Sequence, residues 1–316
     1  MTVPAKLNLF LEILGKRPDG YHSLQTVMSS VSLTDELIFS ERTDDQISLK
    51  IVPLESQSFR KLSDTDGAWD IPEDNRNLIC LALVALRARL GINRGMDVLL
   101  RKSIPALAGL GGGSADAAAA ILGGMLAWTG RYDHTLAIDL AASLGSDINF
   151  FLETAFFGNS AALCTGRGEI VGPIFGEGRF HFVIIHPPMG CSTKAVFNQL
   201  DTQEFKSLPI RSATDTVQAV KDGDSEKLGS SLWNRLTSPA TGLNPWLKEI
   251  DSRLRLAPSV LGYSLSGSGS AMFAVVMNRD HGENLVRQLT DENLYRAYNV
   301  ATWRSGKIID QLSVLR

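Results

Sequence analysis

Cysteine is scarce in this sequence. Cys80, Cys164 and Cys191 are the only three in 316 residues, widely spaced and without a C-x-x-C pair. That argues against a disulfide framework or a cysteine zinc site and fits a reducing compartment, so a cytoplasmic location is expected. No apolar run reaches the roughly 18 residues of a membrane span. The opening MTVPAKLNLF lacks the basic-then-apolar layout of a signal peptide and is expected to enter structure at once. A large charge of either sign is lacking too. A net charge of −3 supplies no global attraction to nucleic acid or to a membrane surface, and neither is an expected partner. Repeats and low-complexity tails are also missing.

What is present is an ordinary globular composition, 44% apolar and 21% charged, over a length that suits one large domain or two average ones. Residues 5–13 alternate. Ala5, Leu7, Leu9, Leu11 and Ile13 share one face and Lys6, Asn8, Phe10 and Glu12 the other, which predicts a strand with one buried face. GKRPDG then reads as a turn, and 23–52 as further strand segments. Residues 55–74, polar and broken by Gly and Pro, read as a surface loop. Helices are expected at 77–91, from about Ser114 to Trp128, and at 134–145, with a strand at 96–104. Residues 150–166 and 168–175 read as two strands joined by a turn, and 179–187 as a strand. The second half reads as helices at 194–201, 214–222, 225–238 and 242–256. A strand–loop–strand follows at 260–277, then a helix at 280–292 and a last strand at 296–304. The expected class is α+β.

The stretch IPALAGLGGGSADAAAAILGG, from Ile104 to Gly124, carries the most chemistry. Successive glycines running into a helix present free backbone N–H groups, and the helix dipole favours an anion there. It is not G-x-x-x-x-G-K-[ST], and Ser114 occupies the third glycine position of G-x-G-x-x-G, so neither standard nucleotide loop applies. Spacing alone leaves two readings open: a phosphate site at Gly111, Gly112, Gly113 and Ser114, or tight helix packing through Ala117 to Ala120 and Gly123-Gly124.

Several segments in order carry a family resemblance: PAKLNLFLEILGKRPDGYHSLQTVM, IPALAGLGGGSADAA, LGSDINFFL, TGRGE and LSGSGSAMFA. Together they resemble the GHMP kinases, and in particular the branch acting on a cytidine diphosphate-linked methylerythritol. The resemblance implies a two-domain GHMP kinase fold. Its N-terminal ATP-binding domain, like domain 2 of ribosomal protein S5, would cover residues 1–170. A ferredoxin-like α+β C-terminal domain would cover 171–316, with the active site in the cleft between them. It implies transfer of the ATP γ-phosphate, with Mg²⁺, to the 2-hydroxyl of that substrate in the non-mevalonate route to isoprenoid precursors. The alternatives are a sibling kinase acting on homoserine, mevalonate or a sugar, and a non-catalytic nucleotide-binding relative. A monomer or weak homodimer is expected.

Residue by residue, the resemblance implies that Asp147 accepts the hydroxyl proton while Lys6 orients it and balances phosphate charge. ATP would lie along Pro105, Gly109, Leu110, Gly111, Gly112, Gly113 and Ser114, with Lys102 reaching the nucleotide. Asn8 and Thr193 would hold the substrate. Tyr21 and Phe197 would flank the cytosine and His22 would hydrogen-bond to it. Ser114 is the expected Mg²⁺ ligand, with Asp116 as a further metal candidate. Each position also has an ordinary reading. Lys6 and Asn8 suit a solvated strand face, Asp147 an Asx turn or helix cap, Ser114 an N-cap, Phe197 helix core, and Lys102 a strand edge. SGSGS (266–270) suits a simple hairpin, whereas the family reading sets it against the glycine loop. Leu107 stands where this family usually has glycine.

Overall fold

The computed structural model describes residues 1–54, 71–176, 178–202, 209–290 and 295–304. β1 (Thr2–Lys16) runs antiparallel to β2 (His22–Glu41). The turn between them is closed by Arg17 N–H on Tyr21 C=O, and Asp19 accepts from Tyr21 N–H. β4 (Met96–Lys102) pairs with β2, and β3 (Ile47–Pro53) lies parallel to β4. β5 (Ala161–Thr165) pairs with β2, and β6 (Ile170–Ile174) with β5. A two-residue strand from far along the chain, β8 (Trp233–Asn234), pairs parallel with β1 and completes a sheet of order β3-β4-β2-β1-β8. The second sheet is antiparallel, β11 (Arg296–Ala301), β7 (His181–His186), β10 (Met272–Val276), β9 (Val260–Leu265).

The layers follow from where apolar faces point. The helices α1 (Leu78–Leu90), α2 (Gly112–Thr129), α3 (His134–Leu144) and α4 (Ile148–Phe157) pack on the first sheet around Leu83, Leu86, Ile121, Phe150 and Phe151. Leu7 and Leu9 of β1 point the other way, onto Phe182 and Phe273 of the second sheet. The far face of that sheet, Val183, Ile185 and Met272, meets α5 (Thr193–Leu200), α8 (Thr237–Leu243), α9 (Pro245–Leu256) and α10 (Arg279–Thr290). α6 (Thr214–Asp222) and α7 (Ser225–Ser231) complete the described helices.

Four expectations change. β1 has no solvated face. Lys6, Asn8 and Glu12 are buried like the leucines between them: α2 packs over β1, and Glu12 is closed off by Arg235 and Trp233. The expected alternation also breaks at an irregularity between Asn8 and Phe10, which puts Phe10 in the core with Leu7 and Leu9 and leaves Leu11 lining the cleft with Lys6 and Asn8. Residues 148–157 are helix rather than strand; a short, almost wholly apolar run carries no period that separates the two, and the helical layer decides it. The single helix expected at 225–238 is divided, because Leu232 turns extended and Trp233–Asn234 join β1. α2 starts at Gly112, two residues before Ser114, and its N-cap is Gly111. Of the loop expected at 55–74, residues 55–70 lie outside the described residues. The division expected at 170 falls at the first residue of β6, which pairs within the first sheet. Among the described residues no helix is long and apolar enough to cross a membrane.

Candidate active site

The centre of the cleft is built on β1. Because side chains two apart on a strand share a face, Lys6 and Asn8 lie side by side, and Lys6 Nζ donates to Asn8 Oδ1 at 2.5 Å. Asn8 Nδ2 donates to Thr26 Oγ1 at 2.9 Å, and that hydroxyl donates onward to Phe10 C=O at 2.6 Å. Each polar atom on this buried face therefore has a fixed partner, which holds the lysine in one pose.

Asp147 reaches Lys6 from the opposite wall. α3 ends at Gly145, whose N–H closes on Ala141 C=O, and two residues later Asp147 opens α4. Its carboxylate makes no capping hydrogen bond, so the ordinary reading as an N-cap fails. Oδ2 instead sits 3.3 Å from Lys6 Nζ, with the aspartate side chain 29% exposed to the cleft and the lysine only 4%. One carboxylate thus faces an incoming group while its cation stays behind it.

The glycine loop lies directly above this pair. Lys6 N–H donates to Leu110 C=O at 2.9 Å, tying loop to strand. Gly111 has φ +71°, and a Cβ there would stand 2.9 Å from Lys6 Cγ and 3.1 Å from Phe151 Cζ, so only glycine lets the lysine pass beneath the loop. α2 then begins with no side-chain cap, which leaves its first N–H groups free for an anion. The packing reading holds at the other end of the same helix, where Gly123 and Gly124 meet Phe39 and Leu83. The SGSGS loop braces the glycine loop from the second sheet. Ser266 Oγ donates to Gly109 C=O at 3.0 Å and Ala271 N–H to Ala108 C=O at 3.0 Å. Leu107 adopts φ +55° and is 71% exposed, which gives the physical reason for glycine at that position: the backbone is left-handed there.

Lys6, Asn8, Tyr21, His22, Gly109, Gly111, Asp147, Thr193 and Phe197 all line one cleft of about 710 Å³. At its far end the His22 and Phe197 rings lie 4.9 Å apart, tilted by 34°. Thr193 Oγ1 bonds Ser268 Oγ at 2.8 Å, which links α5 to the SGSGS loop. Lys102 is placed differently from its expected nucleotide contact. Its ammonium is enclosed beneath Gly112, 2.5 Å from Asp35 Oδ2 and 2.6 Å from Asp116 Oδ2. Asp116 is thereby committed to an internal ion pair rather than to a metal. Burial pushes its carboxyl up to about 7, against the pull of Lys102. Asp35 Oδ1 also accepts from Ser103 and Ile104 N–H at 2.6 and 2.9 Å, fixing the entry to the glycine loop opposite Pro105.

Among the described residues no group of three or more His, Cys, Asp or Glu is arranged to hold a metal ion. Ser114, the third residue of α2, is left as the protein oxygen beside the free N–H groups. That fits Mg²⁺, which keeps several waters and takes one or two protein ligands besides phosphate oxygens.

Sequence reasoning missed Asp35, Arg167 and Asp201. Asp35 lies 67 positions from the lysine it holds. Arg167 sits inside TGRGE and lies over the Tyr21 ring at 5.0 Å. Asp201 follows Phe197 by four residues, one helical turn, which is the signal that would have found it. Asn234 was given no role. Its amide donates to Leu265 and Gly267 C=O, both at 2.8 Å, and so holds the SGSGS loop.

Known proteins share the sequence family and the fold. The family model described as GHMP kinases N terminal domain matches residues 77–155, and that described as GHMP kinases C terminal matches 216–296. The chain is 34% identical to the 4-diphosphocytidyl-2-C-methyl-D-erythritol kinase of Pelotomaculum thermopropionicum, over 92% of this chain and 94% of that one. It is 32% identical to the enzyme of the same name from Alkaliphilus metalliredigens, over 95% and 96%. A crystal structure of 4-(cytidine 5'-diphospho)-2C-methyl-D-erythritol kinase aligns with a TM-score of 0.76 at 28% identity, over 97% and 99% of the two chains. A homoserine kinase from Cytophaga hutchinsonii shares the fold, with a TM-score of 0.70 at 18% identity over 96% and 93%.

Proposed function

The chain belongs to the GHMP kinases, in the family of 4-diphosphocytidyl-2-C-methyl-D-erythritol kinases, and from that premise we propose how its cleft transfers phosphate. The reaction is ATP-dependent phosphorylation of the 2-hydroxyl of 4-diphosphocytidyl-2-C-methyl-D-erythritol. The observation that carries this reading is one continuous cleft. It joins the glycine loop at Gly109 and Gly111, an aspartate backed by a buried lysine, and an aromatic slot.

The geometry supports the following roles. The N–H groups of Gly112, Gly113 and Ser114 meet the ATP phosphates, and the dipole of α2 favours their charge. Ser114 would be the protein ligand of Mg²⁺, which when bound would supply charge neutralisation to the ATP phosphates. The acceptor hydroxyl lies against Asp147, whose carboxylate takes its proton and aims its oxygen. Phosphoryl transfer passes through a loose transition state, so this alignment contributes more than basicity does. Lys6, locked by Asn8 and Asp147, keeps a positive charge beside the transferring group without a rotamer change. Asn8 and Thr193 hold the sugar-alcohol portion, and Tyr21, His22 and Phe197 take the cytosine at the far end.

The test is direct. The purified protein is offered Mg-ATP with the cytidyl substrate, homoserine or mevalonate, and phosphorylated product is resolved by mass. Product from the cytidyl substrate alone is expected. Efficient turnover of homoserine or mevalonate with none of the cytidyl compound would overturn the assignment.

A further inference from the structure

We propose that Asp201 selects cytosine over uracil in the aromatic slot, an inference that rests on the cytidyl-substrate reading above. Asp201 lies at the C-terminal end of α5, one turn beyond Phe197 and on the same side of the helix. Its carboxylate lines the cleft together with His22, Phe197 and Lys16. Oδ1 lies 2.8 Å from His22 Nε2, and Oδ2 pairs with Lys16 Nζ. The hydrogen bond from Lys16, with that from His22, holds the carboxyl below the usual carboxylate range. An ionised carboxylate only accepts hydrogen bonds.

His22 Nε2 gives its hydrogen to Asp201 Oδ1. The Asp201 carboxylate lines the cleft and keeps lone pairs beyond those taken by His22 and Lys16, so it presents an acceptor and the ligand must bring the donor. Cytosine has one in its exocyclic amino group, and a carboxylate accepting from that amine is a recurrent pairing. Uracil has a carbonyl oxygen at the same position, which sets acceptor against acceptor and leaves both desolvated. Lys16 offsets the Asp201 charge, so the selector adds no net repulsion toward the diphosphate of the substrate.

Binding of CMP and of UMP to the wild-type protein, measured by calorimetry, tests this without any variant. CMP is expected to bind tighter by on the order of 10- to 100-fold; equal affinities overturn the proposal. The second measurement is kcat/KM for the cytidyl substrate and its uridyl counterpart. Asp201→Asn offers a donor as readily as an acceptor. It should narrow the cytidyl preference by at least about tenfold through KM, leaving KM for ATP unmoved. Asp201→Glu, which restores a pure acceptor, should recover part of the preference. An undiminished preference in Asp201→Asn refutes the role. Failure of the wild type to phosphorylate either substrate would instead count against the kinase assignment, and the CMP–UMP comparison would still judge Asp201.

Discussion

Removing Lys102 should cost far more than removing one of the aspartates it holds. Lys102, Asp35 and Asp116 are all buried, with side chains 3%, 0% and 4% exposed. With every group ionised the triad carries one net negative charge. Lys102→Met leaves two carboxylates buried against each other with no cation, a loss of about 3–5 kcal/mol by analogy with broken buried ion pairs. That is a large share of the roughly 5–15 kcal/mol a domain has in total. Asp116→Asn leaves a neutral Lys102–Asp35 pair and keeps an oxygen for the lysine. Asp116 Oδ1 has no partner to lose, so the change should stay within about 1 kcal/mol of wild type and can stabilise.

pH adds a second readout. The folded-state value of Asp116, about 7, lies above its unfolded value of 3.8, so the native state binds the extra proton between them. This group's contribution to stability is therefore present at low pH and lost as pH rises from about 4 to about 7. Asp116→Asn should lack that part of the slope. Urea unfolding followed by tryptophan fluorescence, at several pH values, measures both effects. Equal losses in Lys102→Met and Asp116→Asn, or identical pH slopes for Asp116→Asn and wild type, would refute the account of the triad.

Other outcomes are expected. Asp147→Asn should lower kcat by roughly 10²–10⁴ while ATP still binds, as read by single-turnover kinetics and calorimetry; near-normal turnover removes Asp147 from the chemistry. Arg235 makes two hydrogen bonds, of 2.6 and 2.8 Å, to the fully buried Glu12. Arg235→Met should therefore destabilise by about 3–5 kcal/mol in urea unfolding, and a loss under about 1 kcal/mol would show that the pair is dispensable. Leu107→Gly relieves about 1–2 kcal/mol of left-handed strain but gains unfolded-chain entropy worth about 0.5–1 kcal/mol, so a net gain of up to about 1.5 kcal/mol is expected. A fall in melting temperature would contradict the strain argument.

The glycine loop, the strand carrying Lys6 and the helix end at Gly145 were legible because each is a contiguous pattern. Glycine at a left-handed position, period two on a strand and glycine after a helix are properties of neighbouring residues. The resemblance of those segments to one kinase family then implied roles for them. The aromatic pair His22 and Phe197 was reachable only through that resemblance, since 175 positions of chain separate them and no local period links them.

What stayed hidden depends on which faces the layers bring together. Residues 150–157 were apolar enough for either element, and only the helical layer on the first sheet made them α4. The break after Ser231 exists because β1 offers an open edge to Trp233 and Asn234. Lys102 looked like a free cation beside a phosphate loop, yet Asp35, brought by β2, and Asp116, brought by α2, enclose it. By itself the sequence determined the family and the placing of a glycine loop at a helix start, since these rest on local backbone requirements and motif order. Only the tertiary structure decided which charges face the cleft and which are neutralised inside. A side chain's electrostatic role is set by the partners and solvent it meets, and those lie tens or hundreds of residues away along the chain.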